Sequence, residues 1–128
     1  MPDATSESPL QELGTVVEIR TAFSRQDRAA ACARRLIDAR LAACVQIDGP
    51  VTSVYRWQGE VETAEEYRCT CKTSSMRAAA CMDDILANYE YETPEVIATV
   101  VRASISYAAW VQAEVAKECT AGNECDVT

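Results

Sequence analysis

The chain has 128 residues, of which 48% are hydrophobic and 25% are charged, and its formal net charge is −8 at pH 7. This length predicts one domain with one core, and the acidity argues against nucleic acid as a partner because an acidic surface repels phosphate. No apolar run approaches the ~20 residues of a membrane helix and the start lacks a secretory pattern, so we expect a cytoplasmic protein without membrane partners.

The first predicted elements follow a leader that we expect to be disordered, residues 1–14. Alternating β-branched residues over 15–21 predict a strand. Ser24 is predicted to cap the helix that follows, with Asp27 completing a capping box, and this helix is expected to end near Arg40.

A long hairpin is predicted next. Residues 42–57 are expected to be extended but broken by a turn at 48–50, Gln58-Gly59 suits a tight hairpin turn, and 60–72 form the returning strand. Apolar side chains occupy both alternating sets of the hairpin, with Val51, Tyr55 and Trp57 on one set and Val54 and Val61 on the other. One subunit cannot cover both sets, so the hairpin predicts an oligomer interface that includes Val51, Tyr55, Trp57 and Val61.

The second half predicts a helix, a strand and a last helix. Thr73 or Ser74 is expected to cap the second helix, which stops before Pro94, and residues 95–103 form a strand that is apolar on both faces. Ser106 is predicted to cap the last helix, whose buried stripe consists of Tyr107, Trp110, Val111 and Val115, and 119–128 are expected to be a flexible tail. The order predicts a mixed α/β (α+β) domain at 15–118, a ferredoxin-like βαββαβ antiparallel sheet with an additional C-terminal helix.

Reactive side chains are unevenly supplied: there are seven cysteines and no histidine. In a reducing cytosol the cysteines are expected to be free thiols, and Cys69 and Cys71, which share one strand face, are expected to be buried hydrophobes rather than a metal grip. Without histidine the commonest general base is missing, and no Walker loop, dinucleotide fingerprint or activated nucleophile occurs. We therefore expect no enzyme.

Four segments in order carry a resemblance to a known family: Arg40-Leu-Ala-Ala-Cys-Val45, Ser53-Val-Tyr-Arg-Trp-Gln-Gly59, Lys72-Thr73 and Tyr91-Glu-Thr-Pro-Glu95. With them, the chain resembles the CutA divalent-ion tolerance family over residues 16–115. The resemblance implies a homotrimer of ferredoxin-like subunits that exchange their long hairpin strands, a link to metal-ion tolerance, and no established enzymatic reaction. That trimer is similar to the trimer of PII signalling proteins, which bind small effectors between subunits.

The copper chemistry of some relatives is not expected here. The resemblance implies that copper-binding relatives use a cysteine at the end of the first strand and a pair of histidines before the Tyr-x-x-Pro-Glu turn as ligands. This chain has Arg20, Asn88 and Tyr89 at those positions. Arginine carries no free lone pair, and asparagine and tyrosine are poor ligands for a soft metal.

Six polar or aromatic residues are candidates for a cleft between subunits: Trp57, Lys72, Tyr91, Glu95, Gln46 and Arg56. One interpretation is structural, a salt bridge between Lys72 and Glu95 that holds the trimer together. The other is functional, a polar floor for an anionic or zwitterionic effector on which Trp57 stacks.

Weaker candidates for a metal lie in two places. Cys119 and Cys125 in the predicted tail could clip a soft metal, and Glu92 and Glu95 could attract a hard cation, although incidental thiols and solvated carboxylates explain them as well. No cofactor is predicted beyond a possible divalent metal ion. Three functions stay open: a non-catalytic trimer in metal tolerance, a PII-like sensor of a small metabolite, and a scavenger of soft metals through free cysteines.

Overall fold

The computed structural model describes residues 12–116. The elements follow in the order β1 (Gly14–Phe23), α1 (Gln26–Asp38), β2 (Cys44–Trp57), β3 (Glu60–Thr73), α2 (Ser75–Ala87), β4 (Ile97–Ala103) and α3 (Ile105–Ala116). The strands form one antiparallel sheet in the order β2-β3-β1-β4. This confirms the predicted fold class. Among the described residues, no helix is long and apolar enough to cross a membrane.

The sheet is covered unequally on its two faces. Alternate residues of β1, such as Val17 and Ile19, point into the main core, which α1 and α2 complete with Leu36 and Ile85. On the opposite face Val16 packs against α3. One chain therefore buries one face of the sheet and only part of the other.

Helix α1 does not begin as predicted. Its N-cap position is Arg25, whose side chain makes no capping bond, and the hydroxyl of Ser24 instead donates to a carboxylate oxygen of Glu90 at 3.3 Å. The helix ends at Asp38, and Arg40 adopts a positive φ of 60°. The predicted capping box is wrong because Ser24 lies one residue too early and is engaged elsewhere.

Of the other two predicted helix caps, that of α2 is confirmed and that of α3 is wrong. Ser74 accepts a hydrogen bond from the backbone N–H of Arg77 at 3.2 Å and caps α2 as predicted. Helix α3 begins at Ile105, and Ser104, not Ser106, accepts from the backbone N–H of Tyr107. The predicted buried stripe of α3 is partly wrong as well, since its fully buried members are Ala108, Val111 and Val115 while Tyr107 and Trp110 are partly exposed.

The predicted break at 48–50 is wrong, because β2 continues through it. The register shifts between Asp48 and Val51, so that β2 carries one extra residue relative to β3. A side chain at Gly49 would overlap with the backbone of Glu66, and only glycine fits there. This bulge changes which residues of β2 share a face, since Gln46 lies opposite Thr70 before it and Val51 lies opposite Glu66 after it.

The hairpin beyond the bulge extends past β1, whose pairing with β3 ends at Phe23 and Tyr67. We call residues 51–66 the arm. The turn at its tip is confirmed, with Gln58 and Gly59 at φ values of 51° and 85°. Large apolar side chains of the arm remain exposed in the single chain: Val54 by 66%, Tyr55 by 46%, Trp57 by 54% and Val61 by 62%.

Candidate functional site

A cleft of about 740 Å³ lies between the arm and residues 89–95, which precede β4. On the arm, the bulge places Ser53, Tyr55 and Trp57 on the sheet face of Glu66, and all four line the cleft. The opposite wall consists of consecutive residues of the 89–95 segment. Volumes of about 300–1,000 Å³ are typical of small-molecule sites.

Four predicted candidates meet in this cleft. Trp57 contributes from the arm, and Tyr91, Glu92 and Glu95 contribute from the 89–95 segment. The sequence motif that contains Tyr91 and Glu95 therefore faces the motif that contains Trp57, although about 35 residues separate them along the chain.

Tyr89, which was not among the predicted cleft residues, fixes the wall opposite the arm. Its ring centroid lies 4.8 Å from that of Phe23, at the end of β1, and 5.4 Å from that of Tyr91 in an edge-on arrangement. Burial raises the pKa of the Tyr89 hydroxyl to about 12, and the charges of Glu66 and Glu90 act in the same direction. The hydroxyl is therefore neutral at physiological pH. The sequence signal that could have identified Tyr89 is its position as an aromatic residue between a helix and a strand.

The cleft is strongly acidic. Five glutamates line it, and no lysine or arginine does, among the described residues: Glu65, Glu66, Glu90, Glu92 and Glu95. The carboxylate of Glu66 accepts a hydrogen bond from Ser53 at 2.7 Å. Glu90 lies 3.2 Å from the guanidinium of Arg28, so part of its charge is balanced from α1.

The remaining three candidates lie elsewhere. Lys72 donates from Nζ to Gln46 Oε1 at 3.0 Å and lies 3.9 Å from a carboxylate oxygen of Glu18. Arg56 pairs with Val61, on the arm face opposite to Trp57. One chain thus does not join Lys72 to Glu95, and a contact between them across subunits stays a prediction.

Comparisons with known proteins decide the family. Residues 17–114 match the CutA1 divalent ion tolerance protein family. The chain belongs to this family. It is 37% identical over 78 residues to the protein CutA 1, chloroplastic, of Oryza sativa, covering 60% of this chain and 44% of that protein. It is 35% identical over 81 residues to the divalent-cation tolerance protein CutA of Thermus thermophilus, covering 62% and 79%.

Solved structures of CutA proteins share the fold. The crystal structure of CutA from Xylella fastidiosa matches with a TM-score of 0.75 and 33% identity, over 78% of this chain and 97% of that chain. CutA1 from Oryza sativa also matches with a TM-score of 0.75, at 29% identity. The chain spans less than half the length of the rice relative identified by sequence.

The positions at which copper-binding CutA relatives are expected to carry ligands have structural contacts here. The side-chain amide of Asn88 donates to the carbonyl of Asp84 at 2.8 Å, at the end of α2. Tyr89 packs on Phe23. Within residues 12–116, no three acidic, cysteine or histidine side chains are grouped so as to hold a metal ion. Cys119 and Cys125 lie outside the described residues, so the scavenger hypothesis stays a prediction.

Cys69 and Cys71 are fully buried, as predicted, and both are free thiols. Hydrogen bonding to Cys32 and burial raise the pKa of Cys69, and hydrogen bonding to Cys81 and burial raise the pKa of Cys71. Both therefore stay protonated at neutral pH, and their complete burial suits packing in the core. The sequence did not predict that Cys69 lies beside Cys32 of α1 and Cys71 beside Cys81 of α2.

Proposed function

We propose that this chain is a trimeric, non-catalytic CutA protein that acts in divalent metal-ion tolerance in the cytoplasm. The observation that supports the assembly is the arm, which carries Tyr55 and Trp57 on one face and Val54 and Val61 on the other, all exposed in one chain. A head-to-tail ring of three lets each arm contact both neighbours, so that both faces are covered. Burial of apolar surface stabilises such an interface by roughly 25 cal/mol per Å².

The non-catalytic role is supported by the side chains available. The chain has no histidine, and the cysteines buried in the core, Cys32, Cys69, Cys71 and Cys81, lie away from the cleft. The cleft offers carboxylates, aromatic rings and hydroxyls, which suit recognition of a ligand.

The assembly is tested by measuring the mass of the full chain in solution by light scattering. We expect three times the mass of the 14.0 kDa chain. Replacing Val54 and Val61 together with aspartate should yield monomers, because charges then occupy one face of the arm. A matched control is Met76→Asp, at a residue that belongs to α2 and not to the arm and is 91% exposed, which should leave the mass unchanged. A monomeric parent protein would contradict the proposal.

The role in metal tolerance is tested in cells that lack their own CutA protein. Expression of this chain should restore growth in elevated divalent metal, and the Val54 and Val61 double variant should not, since the proposed function requires the trimer. Growth restored equally by both forms would show that the assembly is dispensable. Cell fractionation of the same cultures tests the cytoplasmic location.

A second candidate function is a PII-like sensor that binds a small metabolite at clefts between subunits. The observation that favours it is the volume and the aromatic lining of the cleft beside the arm. Since the arm is also the proposed contact between subunits, a ligand there would be sensitive to the assembly. A thermal-shift screen of metabolites with the parent protein and Trp57→Ala tests it, and a stabilising compound that loses its effect in the variant is the expected result.

A further inference from the structure

The core contains two pairs of buried cysteines, one against each of the helices α1 and α2. Cys69 and Cys71 are alternate residues of β3 and point to the same face of the sheet. Cys32 of α1 and Cys81 of α2 belong to the same core cluster. All four are free thiols and at most 2% exposed. None of them belongs to the arm, so a reaction among them does not depend on how the subunits assemble.

The first pair consists of Cys32 and Cys69, and the backbone geometry brings the two thiols together. Sγ of Cys69 donates to the carbonyl oxygen of Ala29 at 3.5 Å, so β3 contacts α1 at this turn of the helix. A helical side chain leans back over the turn that precedes it, and for Cys32 that is the turn of Ala29. A hydrogen bond joins the thiols of Cys32 and Cys69. The two sulfur atoms therefore lie side by side between α1 and β3.

The groups around Cys32 favour its thiolate. The hydrogen bond from Cys69 lowers the pKa of the Cys32 thiol against the opposing effect of burial, and the charge of Arg35, one turn later on α1, also lowers it. Asp84 of α2, whose Oδ1 lies 2.7 Å from Nε of Arg35, has the opposite effect on this pKa. The thiolate is the nucleophilic form of cysteine. Cys32 is therefore the nucleophile of the pair, and Cys69, whose pKa is raised by its hydrogen bond to Cys32 and by burial, keeps its proton.

The second pair, Cys71 and Cys81, provides an internal comparison. Hydrogen bonding to Cys81, burial and the neighbouring thiols all raise the pKa of Cys71, and among the described residues no cation acts on it. Cys71 and Cys81 are both fully buried, whereas the side chain of Arg35, one turn from Cys32, is 35% exposed. The two pairs have the same chemistry but differ in charge and in distance from the surface.

We propose that Cys32 and Cys69 form an oxidation-sensitive dithiol, which a peroxide converts into a disulfide between α1 and β3, with Arg35 as the positioning residue that favours the Cys32 thiolate. The thiolate attacks one oxygen of hydrogen peroxide and the O–O bond breaks, so that Cys32 becomes a sulfenic acid. The other oxygen leaves as hydroxide and takes up the proton that Cys32 released. The sulfur of Cys69 then attacks the sulfur of Cys32, and the proton of Cys69 leaves with the hydroxyl group as a second water. Two thiols thus lose two electrons, and one peroxide is reduced to two waters.

The disulfide would fix the base of the arm. Cys32 lies on α1, before β2, and Cys69 lies on β3 just beyond the arm. The bond between them closes a loop that contains the whole of β2 and the whole arm, and such a closure restricts the chain. Oxidation therefore ties β3 to α1 at the point where the arm leaves the subunit. The proposal depends neither on a role in metal tolerance nor on a ligand in the cleft.

The test is oxidation of the full chain by hydrogen peroxide, followed by peptide mapping. The reduced protein is treated with peroxide, the remaining thiols are blocked with N-ethylmaleimide, and linked peptides are identified by mass spectrometry without reduction. We expect a bond between Cys32 and Cys69 that dithiothreitol reverses and that forms at least tenfold faster than a bond between Cys71 and Cys81. Earlier formation of the Cys71–Cys81 bond, or oxidation of Cys32 without a disulfide, would overturn the proposal.

Single replacements in β3 identify the partner of Cys32. Cys69 and Cys71 are close enough in sequence to share one peptide, so a variant at each position is needed. Cys71→Ala should keep the bond to Cys32, and Cys69→Ala should abolish it. Loss of the bond in both variants would overturn the proposal, because it would then depend on the packing of the whole cluster. Circular dichroism confirms that each variant is folded as the parent protein is.

A matched pair of variants tests Arg35. Arg35→Met and Asp84→Asn both break the ion pair between α1 and α2, but they change the charge near Cys32 in opposite directions. Arg35→Met should slow formation of the disulfide by roughly threefold or more, whereas Asp84→Asn should not slow it. Arg35→Lys keeps the charge and should stay within about twofold of the parent rate. Equal slowing by Arg35→Met and Asp84→Asn would overturn the role of Arg35, because the rate would then follow the contact between the helices alone.

Discussion

The 89–95 wall of the cleft depends on the ring of Tyr89. That ring contacts Phe23 at 4.8 Å and Tyr91 at 5.4 Å between centroids. Tyr89→Ala removes two aromatic contacts, each worth about 0.5–1.5 kcal/mol. It also removes the burial of a half-buried ring, worth about 1 kcal/mol. We therefore expect the free energy of unfolding to fall by about 2–4 kcal/mol.

The control is Tyr89→Phe, which keeps the ring and removes only the hydroxyl. We expect a change within about 1 kcal/mol. The measurement is urea unfolding followed by circular dichroism at one fixed protein concentration, because the stability of an oligomer depends on concentration. If phenylalanine costs as much as alanine, the hydroxyl and not the ring contacts holds the wall. A loss below about 1 kcal/mol for alanine would refute the role of Tyr89 altogether.

Ser74→Ala should lower the free energy of unfolding by about 1 kcal/mol because it removes the cap of α2. Ser24→Ala should lower it by less than about 0.5 kcal/mol because Ser24 caps no helix. Equal losses of the two variants in thermal unfolding would contradict this. Arg35 Nε lies 2.7 Å from Asp84 Oδ1, and this ion pair joins α1 to α2. A double-mutant cycle of Arg35→Met and Asp84→Asn should therefore give a coupling free energy of about 0.5–1 kcal/mol. A value near zero would contradict a stabilising pair. The pKa of Tyr89, raised by burial to about 12 from 10.0, means that the folded state retains this proton more tightly; the stabilisation is complete below about pH 10 and is lost as the pH rises towards about 12. Phenolate absorbance should show Tyr89 ionising last in the folded protein, and Tyr89→Phe should reduce the alkaline loss of stability.

The order of elements was predictable because periodicity and turn residues were both strong. Gln58-Gly59 marks the hairpin turn and helical periodicity marks α1 and α2, so the βαββαβ order followed from local signals alone. Pro94 lies beyond the end of α2 at Ala87 and does not set that end. The helix starts were less predictable. Ser104 and Ser106 are equally good cap residues by type, and only the position of the first helical turn against the sheet decides between them.

The continuation of β2 through Gly49 and Pro50 could not be predicted from local signals. Two constraints on β3 require it. Cys69 and Cys71 must point into the core, and the two-residue turn fixes the pairing of the arm from the tip. An extra residue in β2 then has to be absorbed between these two regions, and a bulge absorbs it without breaking the strand. Judged from the local sequence alone, glycine and proline indicate a turn, but here pairing within the sheet keeps the segment extended.

Only part of the candidate site could be predicted, because strand register also decides which residues meet there. Trp57, Lys72 and Tyr91 were all identified through their motifs, but only Trp57 and Tyr91 line the cleft. The actual neighbours of Lys72, Gln46 and Glu18, are set by the registers of β2 and β1 against β3, which the sequence does not reveal. The same registers keep Arg56 away from the cleft.

The bulge and the 89–95 segment together form the two walls of the cleft. The bulge turns Tyr55 and Trp57 to the face on which the segment lies. The segment begins with Tyr89, where copper-binding relatives are expected to carry histidine, and its ring packs inward on Phe23. An aromatic wall therefore stands at the position of the expected copper ligands of relatives, and no three acidic, cysteine or histidine side chains of residues 12–116 are grouped so as to replace them.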